Sequence, residues 1–188
     1  DSLHSYDSMM DFLMAKRFKS YGREQKVPED IWNEAQRLHS LEVWLKFYSD
    51  PTRSAYYMSE FGRRLVQQLT EAKSAIASGK TPPKLVLYAG HSRMLMNYLL
   101  ATNNFKVNCL SDDKDRQNEC DFIPPYASVI IWELFEANGV LFVEAKYNDI
   151  LIKVCGDKFQ CPLDEFIKST ISLGLEGDIK QLRKQHCL

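Results

Sequence analysis

In LVLYAGHSRMLMNYLL, residues 85–100, a histidine stands at the joint between an apolar run and an amphipathic segment. His91 follows Gly90 directly, and Ser92 and Arg93 come next. A strand that ends in small residues and hands over to a helix is a common place for an anion, because free backbone N–H groups and the helix dipole meet there. His91 adds a donor that can be charged near neutral pH, and Arg93 adds a further cation. Ser92 limits the chemistry, since a hydroxyl offers no acid or base of useful pKa. The competing reading is a histidine that caps a helix and bonds to a neighbour, with no ligand involved.

Five cysteines form the second group: Cys109, Cys120, Cys155, Cys161 and Cys187. Cys155 and Cys161, in VCGDKFQCPL, are close enough to close a small loop before a helix. A zinc site there needs two more ligands, and His186 and Cys187 are the nearest in sequence, but these spacings match no common zinc pattern. Cys109 and Cys120 bracket a loop of mixed charge that a disulfide would tie, worth on the order of 3 kcal/mol in the chain-entropy account. Cys187 is left over. In a secreted protein an odd cysteine points to a partner elsewhere, whereas in a reducing compartment all five are thiols.

The elements that must position these groups follow from the pattern. The chain has 188 residues, 45% of them hydrophobic, enough for one domain with a real core. Its 24 Lys and Arg against 25 Asp and Glu leave a net charge of -1, which argues against a broad nucleic-acid surface. No apolar run is long enough to span a membrane, and no signal-peptide core follows Asp1. Residues 1–78 read as helical. In IWNEAQRLHSLEVWLKFY the face Ile31, Ala35, Leu38, Leu41, Leu45 and Tyr48 is near helical spacing, with Pro28-Glu29-Asp30 at its start and Asp50-Pro51 as its break. His39, beside that face, reads as structural. SEFGRRLVQQLTEAKSAIAS is a second helix, with Ser59 as its expected cap and Gly79 as its end.

The period then changes. KLVLYAG, continuously apolar, predicts a buried strand of a parallel sheet. Residues 92–102 predict a helix and 103–126 a loop. ASVIIWELFEANGVLFVEAKY predicts a hairpin around Asn138-Gly139, ILIKV a third strand, and PLDEFIKSTI a short helix with Pro162 at its first position. The fold class is α/β, with a helical portion over 1–80 and an α/β portion over 81–188. A lone parallel strand is not a sheet, so either the hairpin completes a mixed sheet or further strands come from sequence outside this chain.

Several stretches together resemble the histidine acid phosphatases, the branch that includes the prostatic and lysosomal enzymes. KLVLYAGH is similar to the strand leading to the family's second catalytic histidine, and PPYASVIIWELFEANGVLFVEAKYN to its PPYAS segment and following hairpin. VCGDKFQCPLDEFIK resembles the family's Gly-Cys…Cys-Pro-Leu ending. YDSMMDF and VPEDIWNEAQRL resemble stretches of its helical cap. The likeness covers nearly the whole chain and corresponds to the family's C-terminal half.

The resemblance implies a histidine-phosphatase-like α/β layer with a helical cap, its sheet completed by an N-terminal half. It implies phosphohistidine chemistry, in which a histidine of an Arg-His-Gly motif attacks phosphorus. Arginines and a second histidine hold the oxygens, and the Asp after that histidine protonates the leaving group. His91 corresponds to the second histidine and Arg93 is compatible with phosphate binding. Ser92 stands where the family has its general acid, and the chain contains no Arg-His-Gly. Loss of a general acid typically costs about 10²–10⁴ in rate, and loss of the nucleophile removes the covalent route.

The expectation is therefore the C-terminal chain of a processed precursor, catalytically impaired, needing no cofactor or metal. Its partners would be the N-terminal half as a separate chain, with Cys187 linking back to it, and phosphate or a phosphomonoester. The alternatives are an active two-chain phosphatase and a non-catalytic subunit of a larger assembly. The family's usual setting implies a secreted or lysosomal location.

Overall fold

The computed structural model describes residues 2–19, 27–105 and 123–175, together with 177, 181 and 184. Cys109, Cys120, His186 and Cys187, with the pairings expected of them, lie outside these residues. The chain divides into two compact units, one of residues 1–49 and 106–126 and the other of 50–105 and 127–188.

In the first unit, helix α1 (Ser2–Lys19) packs against α2 (Glu29–Val43). Glu29 and Asp30 complement the dipole in the first turn of α2. The buried face of α2 is Trp32, Ala35, His39, Ser40, Glu42 and Val43. This differs from the face expected from apolar spacing. Ile31 and Leu45 are exposed, and Trp32 fills the place that Ile31 was expected to take. The structural reading of His39 agrees with its burial. A π-helical turn, Trp44–Tyr48, follows α2.

In the second unit, α3 (Pro51–Ala77) starts eight residues before the expected cap, Ser59. Asp50 is the actual N-cap, accepting from the Thr52 N–H at 2.8 Å, and Pro51 pre-sets the first turn. Ser59 instead sits mid-helix. Its hydroxyl donates to the Ala55 carbonyl at 2.7 Å and accepts the Leu175 N–H at 2.6 Å, pinning the segment that follows the helix Leu163–Ser172. Gly174 fits there because it has no side chain: a Cβ would lie 2.9 Å from the Ser59 Cα. Gly79 ends α3 as expected, at φ 70°. The Lys80 N–H bonds the Ala75 carbonyl and the Gly79 N–H bonds that of Ile76, a Schellman end.

After α4 (Ser92–Ala101) come β1 (Ile130–Ala137) and β2 (Val140–Tyr147), then β3 (Ile150–Ile152), β4 (Gln160–Pro162) and α5 (Leu163–Ser172). The four strands make one antiparallel sheet. β2 pairs with β1 on one edge and with β3 and β4 on the other. The Asn138-Gly139 hairpin forms as expected, with φ of 53° and 75°, since both positions of this turn need left-handed backbone. Asn148 and Asp149 turn β2 into β3 in the same way. Pro162 is the N-cap of α5, not its first helical residue.

Register fixes the core. The rung Leu134, Val143, Cys161 and the rung Trp132, Ala145, Ile152 share one face. These residues join Leu65, Tyr98, Leu99 and Phe166 of the helices in a single cluster. Phe166 is fully buried, which contributes about 1.5–3 kcal/mol relative to an exposed ring. On the other face Glu133 lies directly opposite Glu144, a like-charge pairing that costs free energy. Lys146 relieves it, reaching Glu133 at 2.8 Å and Glu144 at 3.3 Å. The hydrogen bond from Lys146 holds the Glu133 carboxyl below the usual range.

The parallel strand expected at 85–88 is not formed. Among the described residues the only sheet is antiparallel, and residues 85–90 carry no ladder. A parallel strand needs pairing on its edges and cover on both faces. None of the strands described pairs with this run, and Leu85 and Leu87 are each 83% exposed.

Candidate functional site

His91 is the N-cap residue of α4, with extended backbone at φ −92° and ψ 159°. Its side chain makes no cap hydrogen bond, so the bland capping role is not how the ring is used. Gly90, His91, Ser92 and Arg93 are all exposed, whereas Met96 to Leu99 further along the same helix are buried. The second half of α4 anchors the helix in the core, and its first turn projects outward. That turn contains no acidic residue of its own to complement the positive end of the helix dipole.

Among the described residues nothing requires a glycine at position 90. Its φ is not in the left-handed region, and a Cβ built on it would meet only the Met94 Cγ, at 3.9 Å. Tyr88, just before, packs edge-on against Phe61 at 6.3 Å and so ties the end of the run to α3. Burial pushes the Tyr88 phenol up from its ordinary value. The elements thus bring Gly90, His91, Ser92 and Arg93 together at one helix end by simple adjacency in sequence.

Behind the helix end lie polar groups that sequence reasoning missed. Asn97 is 1% exposed, and its Oδ1 has no hydrogen-bond partner. Tyr98 meets Trp132 edge-to-face at 5.0 Å, and Phe61 lies 5.6 Å from the indole. Burial pushes the Tyr98 phenol up to about 12, against a smaller opposing pull from Trp132. Neither the phenolic oxygen nor the indole Nε1 completes a hydrogen bond of good geometry. An asparagine inside the otherwise apolar MLMNYLL was the available signal for this cluster.

Cys155 and Cys161 form a disulfide, with Cα atoms 6.3 Å apart and both residues buried. The bond takes two thiolates away from the zinc alternative. Among the described residues no group of three or more His, Cys, Asp or Glu is placed to hold a metal. No described helix is long and apolar enough to cross a membrane. A cavity of about 230 Å³ lies between α3 and α5, lined by Met58, Ser59, Arg63, Thr170, Gly174 and Leu175, away from His91 in sequence and in lining. The Arg63 guanidinium donates to the Leu175 carbonyl at 3.0 Å. In comparisons with known proteins, no family model and no curated protein matches the chain.

Proposed function

We propose that this chain is the C-terminal chain of a histidine acid phosphatase-like protein, impaired in catalysis, with His91 and Arg93 as its contribution to a phosphate site. The observation that carries the reading is the outward-facing N-cap histidine on α4, its ring outside any cap hydrogen bond and its first turn without an acid. Gly90 supports it, because a glycine that no described residue requires leaves room for a group to approach the backbone. The order of the resembling stretches supplies the family.

In this reading His91 and Arg93 hold phosphate oxygens, together with the first N–H groups of α4. Ser92 hydrogen-bonds an oxygen but does not protonate a leaving group, so binding proceeds without efficient P–O cleavage. An N-terminal half, acting as a separate chain, would bring the Arg-His-Gly nucleophile and the strands that flank 85–88. The secreted or lysosomal setting belongs to the same proposal. A non-catalytic subunit of a larger assembly is the second reading, favoured by the 83% exposure of Leu85 and Leu87.

The test is a pair of measurements on the chain as it stands. An acid-pH phosphomonoester assay is expected to show no turnover above background. An NMR titration with inorganic phosphate is expected to move the resonances of His91 and of the first turn of α4, and His91→Ala removes that response. Turnover that His91→Ala abolishes overturns the impairment. A phosphate titration that leaves the first turn of α4 unmoved overturns the anion site.

A further inference from the structure

Protein interiors keep few voids larger than a water molecule, so the cavity of about 230 Å³ between α3 and α5 raises the question of what holds it open. Two glycines do so. Gly62 on α3 lets α5 come close, since a Cβ there would lie 3.3 Å from the Thr170 Cγ2. Gly174, just past α5, lets the chain cross α3 beside Ser59, where a Cβ would lie 2.9 Å from the Ser59 Cα. The spacing is set by these backbone approaches rather than by the side chains that line the cavity. Met58, 1% exposed, and Leu175 supply apolar wall, and Ile171, 53% exposed, stands at the rim.

Two polar groups of the lining are left over by the fold. Thr170 is 2% exposed, and its hydroxyl makes no hydrogen bond among the described residues. Hydroxyls on the facing helix behave differently: Ser59, Thr70 and Ser74 of α3 each donate to the carbonyl four residues back. Arg63 spends an N–H on the Leu175 carbonyl at 3.0 Å and has no carboxylate partner among the described residues. Its neighbours on α3 do have one, Arg53 with Asp50 and Arg64 with Glu60. A guanidinium carries several N–H donors in a fixed fork that matches a carboxylate, so Arg63 keeps donors in hand.

We propose that this cavity is a binding site for a small organic monocarboxylate. The carboxylate is held by Arg63 and the Thr170 hydroxyl, and the apolar body lies against Met58, Ile171 and Leu175. A dry cavity of about 150 Å³ takes up benzene, and the larger space here holds a phenyl ring with its carboxyl group. One arginine and one hydroxyl match the single charge of a carboxylate, and the apolar lining rewards a ligand with a hydrocarbon part. Inorganic phosphate has no such part and carries more charge than these two donors meet. The cavity shares no lining residue with the first turn of α4, so it stands apart from the function proposed above.

The test is an NMR titration of the chain with benzoate, read at the amides of Gly62, Thr170, Gly174 and Leu175. These resonances are expected to move together and to saturate. Benzyl alcohol, a similar body without the charge, is expected to bind at least about tenfold more weakly. Arg63→Gln weakens benzoate about 10–100-fold. Thr170→Val keeps the shape of the side chain and removes a hydroxyl that the fold does not use. It is expected to leave thermal unfolding unchanged and to weaken benzoate about tenfold. Inorganic phosphate leaves these amides unmoved. Absence of a saturable benzoate response overturns the proposal. So does benzyl alcohol binding as tightly as benzoate, which assigns the cavity to uncharged apolar ligands. A phosphate response as strong as that to benzoate also overturns it, leaving only a surface anion contact at Arg63. The phosphate site is read separately, at the first turn of α4, so either proposal can fail without the other.

Discussion

Tyr98 shows how a single residue ties stability to pH. Its ring is 1% exposed and packs edge-on against Trp132, and burial disfavours the phenolate. The folded-state value of about 12 stands above the ordinary 10. The group therefore binds its proton more tightly when folded. Its contribution is fully present below the ordinary value and is lost as pH rises through the folded value. Urea unfolding measured from neutral pH upward is expected to show stability falling across roughly pH 10 to 12, and Tyr98→Phe to flatten that part of the profile. An equally steep fall in Tyr98→Phe would assign the effect to other groups. Ser92 is the converse case. Its hydroxyl is exposed and does not titrate in this range, so no pH dependence of binding is expected to arise from it.

At the scale of elements, the disulfide and β4 act together. β4 has only three residues, too short to hold itself on propensity. It stays in place by pairing with Phe142 to Glu144 of β2 and by the bond from Cys161 to Cys155. α5 begins at once after it, so the position of Phe166 in the core depends on that short strand. Replacing Cys155 and Cys161 together by serine is expected to lower the unfolding free energy by about 2–4 kcal/mol in denaturant titrations. Exchange protection should be lost first in β4 and the first turn of α5. α4 is held at its far end by a different device. Asn104 brackets the Lys153 backbone, donating to its carbonyl at 2.9 Å and accepting its N–H at 2.7 Å, as a neighbouring strand would. That bracket fixes the end of the helix opposite His91.

For the whole molecule, the question is what covers 84–90 and whether a cysteine of this chain is bonded to another chain. Intact mass before and after reduction separates the possibilities. Under the proposed function, protein purified from its source without reductant is expected to show a heavier species that splits on reduction into this chain and one carrying Arg-His-Gly. A single 21.8 kDa chain in both states removes a covalent partner and leaves only non-covalent assembly.

What the sequence by itself determined is local. Asn138-Gly139, the Gly79 helix end, the helix after His91 and the short helix after Cys161 were legible because each depends on the backbone freedom or period of adjacent residues. The start of α3 was written in Asp50-Pro51, which read only as the end of the helix before it. The same two residues break one helix and cap the next. The tertiary structure alone decided what each face meets. Ser59 has the chemistry of a cap, but Leu175, far along the chain, made it a pin. Trp32 rather than Ile31 went inward on α2. β4 exists because β2 was there to pair with it. LVLYAG has the composition of a central strand, yet composition states only what a segment loses by exposure, and burial requires neighbours. His91 was legible as the residue at which a helix starts, although the strand expected before it did not form. Its outward direction followed from the tertiary structure, because the second half of α4 is the part the core holds.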